Sequence, residues 1–248
     1  MGETEESEVK LLKPKRGTKI PNFWSISRYN VWRGCAYQYM LQNIMKFYGP
    51  KSRAMERGIH IHKLFEHLLL GKVTGLPDEL KKLAPEIRQI KKFGGNPEKD
   101  WTLTKDCKQT YPTDWDHAWL RSKLDAHHYF EDEQELIIVD LKTGQVNIAQ
   151  AQMDLYAAMS QFYYPDAKKI RVELWFCDHG EVEGDDYSPA DVKRLWKKWV
   201  KRATDMLQDR EWLPNPGPAC RKYGGCPMRS DKKLENGEPG PCNEWKKV

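Results

Sequence analysis

Asp140 and Lys142 stand two residues apart in Ile137-Ile138-Val139-Asp140-Leu141-Lys142-Thr143. On a strand, both side chains point to one face and Leu141 points to the other, into apolar packing. An acid and an ammonium at the end of an apolar strand suit one chemistry in particular. Hydrolysing a phosphodiester near neutral pH needs a water that has lost its proton beside the phosphorus, and positive charge to stabilise what develops there. A hard dication supplies both. Magnesium takes oxygen ligands, typically one or two carboxylates, and keeps several waters. A lysine beside it can orient the water or stabilise the phosphate charge. The same residues would also make a plain surface ion pair at a strand end, so the segment needs partners.

Several lie elsewhere in the chain. Asp125 closes Trp119-Leu120-Arg121-Ser122-Lys123-Leu124-Asp125. His62 and Glu66 are four apart, and so are Gln152 and Tyr156, the spacing that shares one helical face. His60 sits two residues before His62 and should face away from it. Each pair alone is a weak signal, since a lone His or Gln on a helix is usually just a satisfied polar group.

The elements that must position these residues can be read from periodicity. A first helix is expected from Ser25 or Ser27, as caps, to about Met45. A second should run from Ala54 to Leu70, with Ile61, Leu64, Phe65 and Leu68 at helical spacing, ended by Gly71. Residues 71–100 read as helix and loop, broken at Gly94-Gly95-Asn96-Pro97. Strands joined by a turn at Pro112 are expected from Trp101 to Phe130. Residues 135–142 read as a buried strand, Ile148 to Tyr163 as a helix and Ile170 to Cys177 as a strand. Ser188-Pro189-Ala190-Asp191 has the cap, first-turn proline and acidic residue of a helix start, and that helix should reach about Leu207. Strands bracketed by helices indicate a mixed α/β layer fold.

Composition sets wider bounds. The 248 residues fit one large domain or a domain with an appendage. A formal charge of +5 permits a polyanionic partner without requiring one. No apolar run approaches the roughly 18 to 20 residues that cross a bilayer, and the start has no apolar signal core. A cytoplasmic protein of cellular or phage origin, with no membrane partner, is expected. Residues 1–22 read as a flexible charged tail, 23–212 as the main domain, and 213–248 as a cysteine-containing segment packing back on the N-terminal helix.

In order, these motifs resemble the RecB-like branch of the PD-(D/E)XK nuclease superfamily. That branch has a helix with G-x-x-x-H-x-x-x-E, a strand ending in an acid, a strand (I/V)-(I/V)-D-x-K-T and a helix with Q-x-x-x-Y. Here they are Gly58, His62 and Glu66, then Asp125, then Val139-Asp140-Leu141-Lys142-Thr143, then Gln152 and Tyr156. Ser122 stands where the family often has glycine. The resemblance spans about residues 25–242. It implies a restriction-endonuclease-like core, a mixed central sheet flanked by helices, with a cysteine-bearing C-terminal tail. It also implies that His62, Asp125, Asp140 and the Leu141 carbonyl ligate Mg2+ or Mn2+, and that Lys142 positions or activates water. Gln152 and Tyr156 would support the site or contact DNA, with Glu66 behind the ligands.

Cys35 lies early in the expected first helix, and Cys220, Cys226 and Cys242 lie in the coreless tail. In a reducing compartment four thiolates suit an iron–sulfur cluster or structural zinc, and free thiols remain open. The one-plus-three layout is similar to AddB and to CRISPR-associated iron–sulfur exonucleases, which hold a 4Fe-4S cluster. It departs from them in the longer gaps between the late cysteines. Cys107 and Cys177 lack such a setting. From Val192 to Met206 a helix with an apolar stripe at Leu195, Trp199 and Met206 carries Lys193, Arg194, Lys197, Lys198, Lys201 and Arg202. This is either a solvated basic face or a set of phosphate contacts, which would be sequence-independent and salt-sensitive.

The resemblance implies a metal-dependent deoxyribonuclease. The expected form is an exonuclease on linear or single-stranded DNA in recombination, repair or phage DNA processing. One alternative is a non-catalytic DNA-binding or scaffold protein that keeps the fold, against which the intact Asp125, Asp140 and Lys142 set argues. The other is a structure- or sequence-specific endonuclease, with residues 71–118 as room for a recognition element. No G-x-x-x-x-G-K-[ST] is present, so a motor would be a separate helicase or recombination protein.

Overall fold

Six strands lie side by side: β1 Asn96–Thr104, β2 Gln109–Thr110, β3 Ala118–Phe130, β4 Glu135–Lys142, β5 Lys169–Phe176 and β6 Glu181–Tyr187. The structure, a computed structural model, describes residues 11–147, 149–221 and 225–247. Part of the expected tail (residues 1–10), and Ile148 at the expected start of a helix, lie outside the described residues. The sheet order is β2-β1-β3-β4-β5-β6. Every neighbouring pair is antiparallel except β4 and β5. A parallel pair needs a crossover, and α5 Gln150–Tyr163 supplies it.

One face of the sheet is covered by α3 Arg53–Leu69, a 3-10 turn Asp78–Leu83 and α4 Ala84–Lys92. Ile61, Phe65 and Leu68 of α3, with Leu80, Leu83, Ile87 and Ile90, pack on Ala126, Val139, Leu141 and Trp175. Burying each such side chain contributes about 1.5–3 kcal/mol. Ser52 starts α3 by accepting a hydrogen bond from the Met55 N–H at 3.2 Å, the capping role its short hydroxyl suits. α5 buries Met153, Leu155, Tyr156 and Met159. The last helix, α6 Pro189–Gln208, opens with the reciprocal bonds its sequence foretells. The Asp191 N–H donates to Ser188 Oγ, and the Ser188 N–H to the Asp191 carboxylate.

These elements, with Phe23–Ile26, make one compact unit, Ser52–Leu207. Trp24 belongs to it because it bridges Leu120 of β3 and stacks on Trp199 of α6 at 5.7 Å.

A second unit comprises, among the described residues, those up to Asn22, Ser27–Lys51 and those from Gln208 onward. Here the single helix expected to Met45 is three pieces: α1 Ile26–Gly34, α2 Ala36–Tyr39 and a π turn Met40–Ile44. The break lies at Cys35, extended at φ −160° and ψ 107°, whose thiol caps α2 by accepting from the Gln38 N–H. Cys35 is therefore a cap between helices and not a residue within one. The segment beyond Gln208 is irregular, held by bridges Arg229↔Cys242 and Lys233↔Pro239. A side chain at Gly240 would collide with the Met228 and Arg229 backbone, so only glycine lets these strands approach.

Two further differences from expectation concern strands. β1 begins at Asn96, five residues before Trp101, because Gly94 at φ +73° turns the chain directly into the sheet. β6 went unexpected. Its Glu181-Val182-Glu183-Gly184-Asp185-Asp186 is too acidic to read as a strand, yet an edge strand tolerates charge on its open side.

Candidate active site

The site forms where the sheet splits. β3 and β4 pair from Ala126↔Val139 to Phe130↔Glu135 and no further. Beyond that, β3 continues beside β1 and β4 beside β5. Asp125 and Asp140 are the next residues in register, at the mouth of the fork. The Leu141 N–H donates to Asp125 Oδ2 at 2.7 Å. A carboxylate thus takes a main-chain donor from β4 just where the β3–β4 ladder ends.

Around this fork the side chains come from four elements, β3, β4, α3 and α5. From α3, His62 Nδ1 lies 2.6 Å from Asp125 Oδ1, and among the described residues its Nε2 has no hydrogen-bond partner. From β4, Lys142 Nζ lies 2.6 Å from Asp140 Oδ2. From α5, Gln152 Oε1 accepts from Lys142 Nζ at 2.6 Å, and Gln152 Nε2 donates to Asp140 Oδ1 at 2.8 Å. The Tyr156 hydroxyl lies 2.7 Å from Asp140 Oδ1 and 2.9 Å from the Lys123 carbonyl, so its single proton serves one or the other. The i, i+4 spacing of Gln152 and Tyr156 puts both over one carboxylate. Leu141 faces the opposite way, into the core beside Ile61 and Phe65.

Electrostatically the fork is short of positive charge. Asp140 is only 4% exposed. Burial raises its pKa, the Lys142 ammonium lowers it, the Asp125 carboxylate raises it again, and the balance is upward. Burial would lower the pKa of His62, but the hydrogen bond and charge of Asp125 outweigh it and hold the imidazole above its ordinary value. Burial first, then the Asp140 charge, pushes the Tyr156 phenol far up, so it stays a neutral donor. Although Lys142 Nζ is close, Asp140 Oδ2 is buried without a well-directed hydrogen bond. Among the described residues no three His, Cys, Asp or Glu side chains already stand in a metal-holding arrangement. The donor set nevertheless fits a hard dication: two carboxylates next in register, compensated by the single Lys142 ammonium, and an imidazole nitrogen that no described residue hydrogen-bonds.

Other expected residues fall in different places. Glu66 is half-buried on α3, one turn beyond His62. His60 lies 3.9 Å from Glu79 and outside the fork. Lys193, Arg194, Lys197, Lys198 and Lys201 are exposed on α6. Arg194 pairs with Asp191 and Lys201 with Asp205, while half-buried Arg202 lies over the Trp199 ring. In the second unit Cys35, Cys220, Cys226 and Cys242 border one cavity of about 110 Å³ with Tyr37 and Trp245. Burial, and then the charges of the other three, pushes the Cys226 thiol up to about 11. Cys177 is a core thiol, pushed up to about 12 by burial.

Sequence reasoning missed a clamp beside the fork. Asp178, just past β5, pairs with Arg57 of α3 and accepts from the Gly144 N–H. It pins the Thr143-Gly144 turn that follows Lys142. The signal was an acid two residues after an apolar strand, which is too common to single out.

The family model described as PD-(D/E)XK nuclease superfamily matches residues 23–230. No curated protein matches. Among solved structures, a candidate exonuclease from Eubacterium rectale is 12% identical, covering 75% of this chain and 81% of its own, with a TM-score of 0.47. SSO0001 is also 12% identical, covering 77% and 79%, with a TM-score of 0.34. With the family model spanning the split sheet and every residue of the fork, the chain belongs to the PD-(D/E)XK nuclease superfamily.

Proposed function

We propose that this nuclease is a Mg2+- or Mn2+-dependent deoxyribonuclease that degrades linear or single-stranded DNA from an end. The observation that carries the reading is the meeting of Asp125, Asp140 and the Lys142 ammonium at the mouth of the β3–β4 fork. Asp125, Asp140, the Leu141 carbonyl and His62 Nε2 would hold the metal. A dication there would lower the pKa of bound water and stabilise charge on the phosphoryl oxygens.

The chain's own groups do the rest. Gln152 holds Lys142 Nζ with its carbonyl and Asp140 with its amide, so the ammonium is aimed before substrate arrives. Tyr156 and Gln152 hold Asp140 Oδ1, which leaves Oδ2 to the Lys142 ammonium. Lys142 then orients the attacking water or stabilises the phosphorane-like charge. The exposed lysines of α6 would hold phosphates without reading sequence.

In the second unit we assign Cys35, Cys220, Cys226 and Cys242 to one iron–sulfur cluster, with zinc as the alternative. The support is that all four line one cavity. Host pathway and helicase partnership rest on family resemblance alone, in recombination, repair or phage DNA processing.

The deciding experiment incubates purified protein with end-labelled linear DNA and with closed circular DNA, with Mg2+, Mn2+ or EDTA. Release of short products from linear DNA alone, lost in EDTA and in Asp140→Asn, is expected. Cutting of the circle would replace the exonuclease by an endonuclease. DNA binding with no cleavage under either metal would replace both with a binding module.

A further inference from the structure

Soluble proteins bury large aromatic rings, yet the turn between β2 and β3 holds two in water. Tyr111 is 78% exposed and Trp115 66%. They are not on a floppy tip. Thr110 Oγ1 donates to Asp114 Oδ2 at 2.5 Å, while the His117 N–H and Nδ1 lie 3.1 and 2.9 Å from Asp114 Oδ1. The Asp114 N–H bonds the Tyr111 carbonyl, and the Ala118 N–H bonds that of Asp114. Asp114 is thus the hub of a turn that holds both rings out.

Trp115 also has a cationic floor. The Arg121 guanidinium lies 4.0 Å from the Trp115 ring centre and 4.4 Å from that of Phe23. Its Nε and one Nη are buried with no hydrogen-bond acceptor, and burial lowers its pKa. A cation held this way fixes Trp115 through its π-face. Beside Tyr111 opens a cleft of about 460 Å³ lined by Lys99, Asp100, Gln109, Thr110, Pro112 and Tyr163. That volume falls in the range of small-ligand sites.

We propose that Tyr111 and Trp115 form a stacking platform for the unpaired bases of a single DNA strand, with the neighbouring cleft receiving one base. This rests on the nuclease reading and narrows its substrate. Exposed rings on a braced turn suit bases because stacking needs only a π-face and is indifferent to sequence. A duplex presents no such faces, since its bases already stack on one another. β3 runs from this turn to Asp125 in one uninterrupted strand, so a base held here lies on the element that supplies the fork's carboxylate.

Binding can be read without cleavage, by fluorescence anisotropy in EDTA. The probes are labelled oligo(dT) and a strand of equal length and charge built from abasic units. Wild-type protein should prefer oligo(dT). In the double variant Tyr111→Ala and Trp115→Ala that preference should collapse toward equal binding. Each ring accounts for roughly a 5- to 150-fold loss. Trp115→Phe, which keeps a stacking face, should retain most of the preference. Equal binding of the two strands by wild type overturns the platform, as does a double variant with its preference intact while its circular dichroism melt matches wild type. Loss of the preference on merely doubling protein concentration would assign the rings to self-association. A protein that cuts DNA yet shows no base preference loses only the platform. One that prefers bases yet never cuts loses only the nuclease reading.

Discussion

Lys142→Ala should separate the two jobs of the lysine, neutralising a buried acid and serving the reaction. In the fold, Nζ is 2.6 Å from Asp140 Oδ2, with the Lys142 side chain 25% and the Asp140 side chain 6% exposed. Removing one partner of a fully buried pair costs about 3–5 kcal/mol. Partial exposure of the lysine reduces that to about 2–3 kcal/mol. For a chain of this size each kcal/mol is worth about 2–4 °C in melting temperature, so metal-free variant should melt roughly 4–12 °C below wild type. A dication at the fork would take over the charge compensation. Mg2+ or Mn2+ should therefore raise the variant's melting temperature more than that of wild type, closing much of the gap. Cleavage should not recover, because the group that aims water or stabilises charge is gone. Losing one preorganised stabilising group lowers kcat by about 100- to 1000-fold. The assays are thermal melts in EDTA and in metal, and rates on end-labelled linear DNA. A variant that melts with wild type in EDTA, or cuts within about fivefold of it, would refute the reasoning.

Three other outcomes follow from the geometry. Tyr156→Phe should cost about 1–3 kcal/mol in urea denaturation, since it strips a hydrogen bond from buried Asp140 or from the Lys123 carbonyl, and an unchanged midpoint would count against that network. Asp178 is held at about 2 by the Arg57 guanidinium beside it, below its unfolded value. Its stabilising contribution is therefore complete above about pH 4 and lost as pH falls through 2. With Arg57 about half exposed, the effect is below about 1 kcal/mol, and Asp178→Asn should flatten acid-melting curves over that window. Anaerobically purified protein should show broad visible absorption that Cys35→Ser or Cys242→Ser removes. A colourless protein containing zinc would select the alternative.

The sequence carried the local logic of this protein. The alternation around Asp140, the i, i+4 pairs on α3 and α5, and the Ser188-Pro189-Ala190-Asp191 start all depend on residues a few positions apart, where periodicity decides geometry. Hence β4 could be read to its ends, and Leu141 could be turned toward the core. What lay beyond the sequence depends on distance in space. Nothing local says that β3 leaves β4 at Ala126, so that Asp125 reaches the Leu141 N–H and meets Asp140 across a fork. Nothing local says that Cys35 caps a broken helix, or that Asp178 clamps the turn after Lys142. Strand pairing and burial set those positions, and both are settled only when the chain closes on itself.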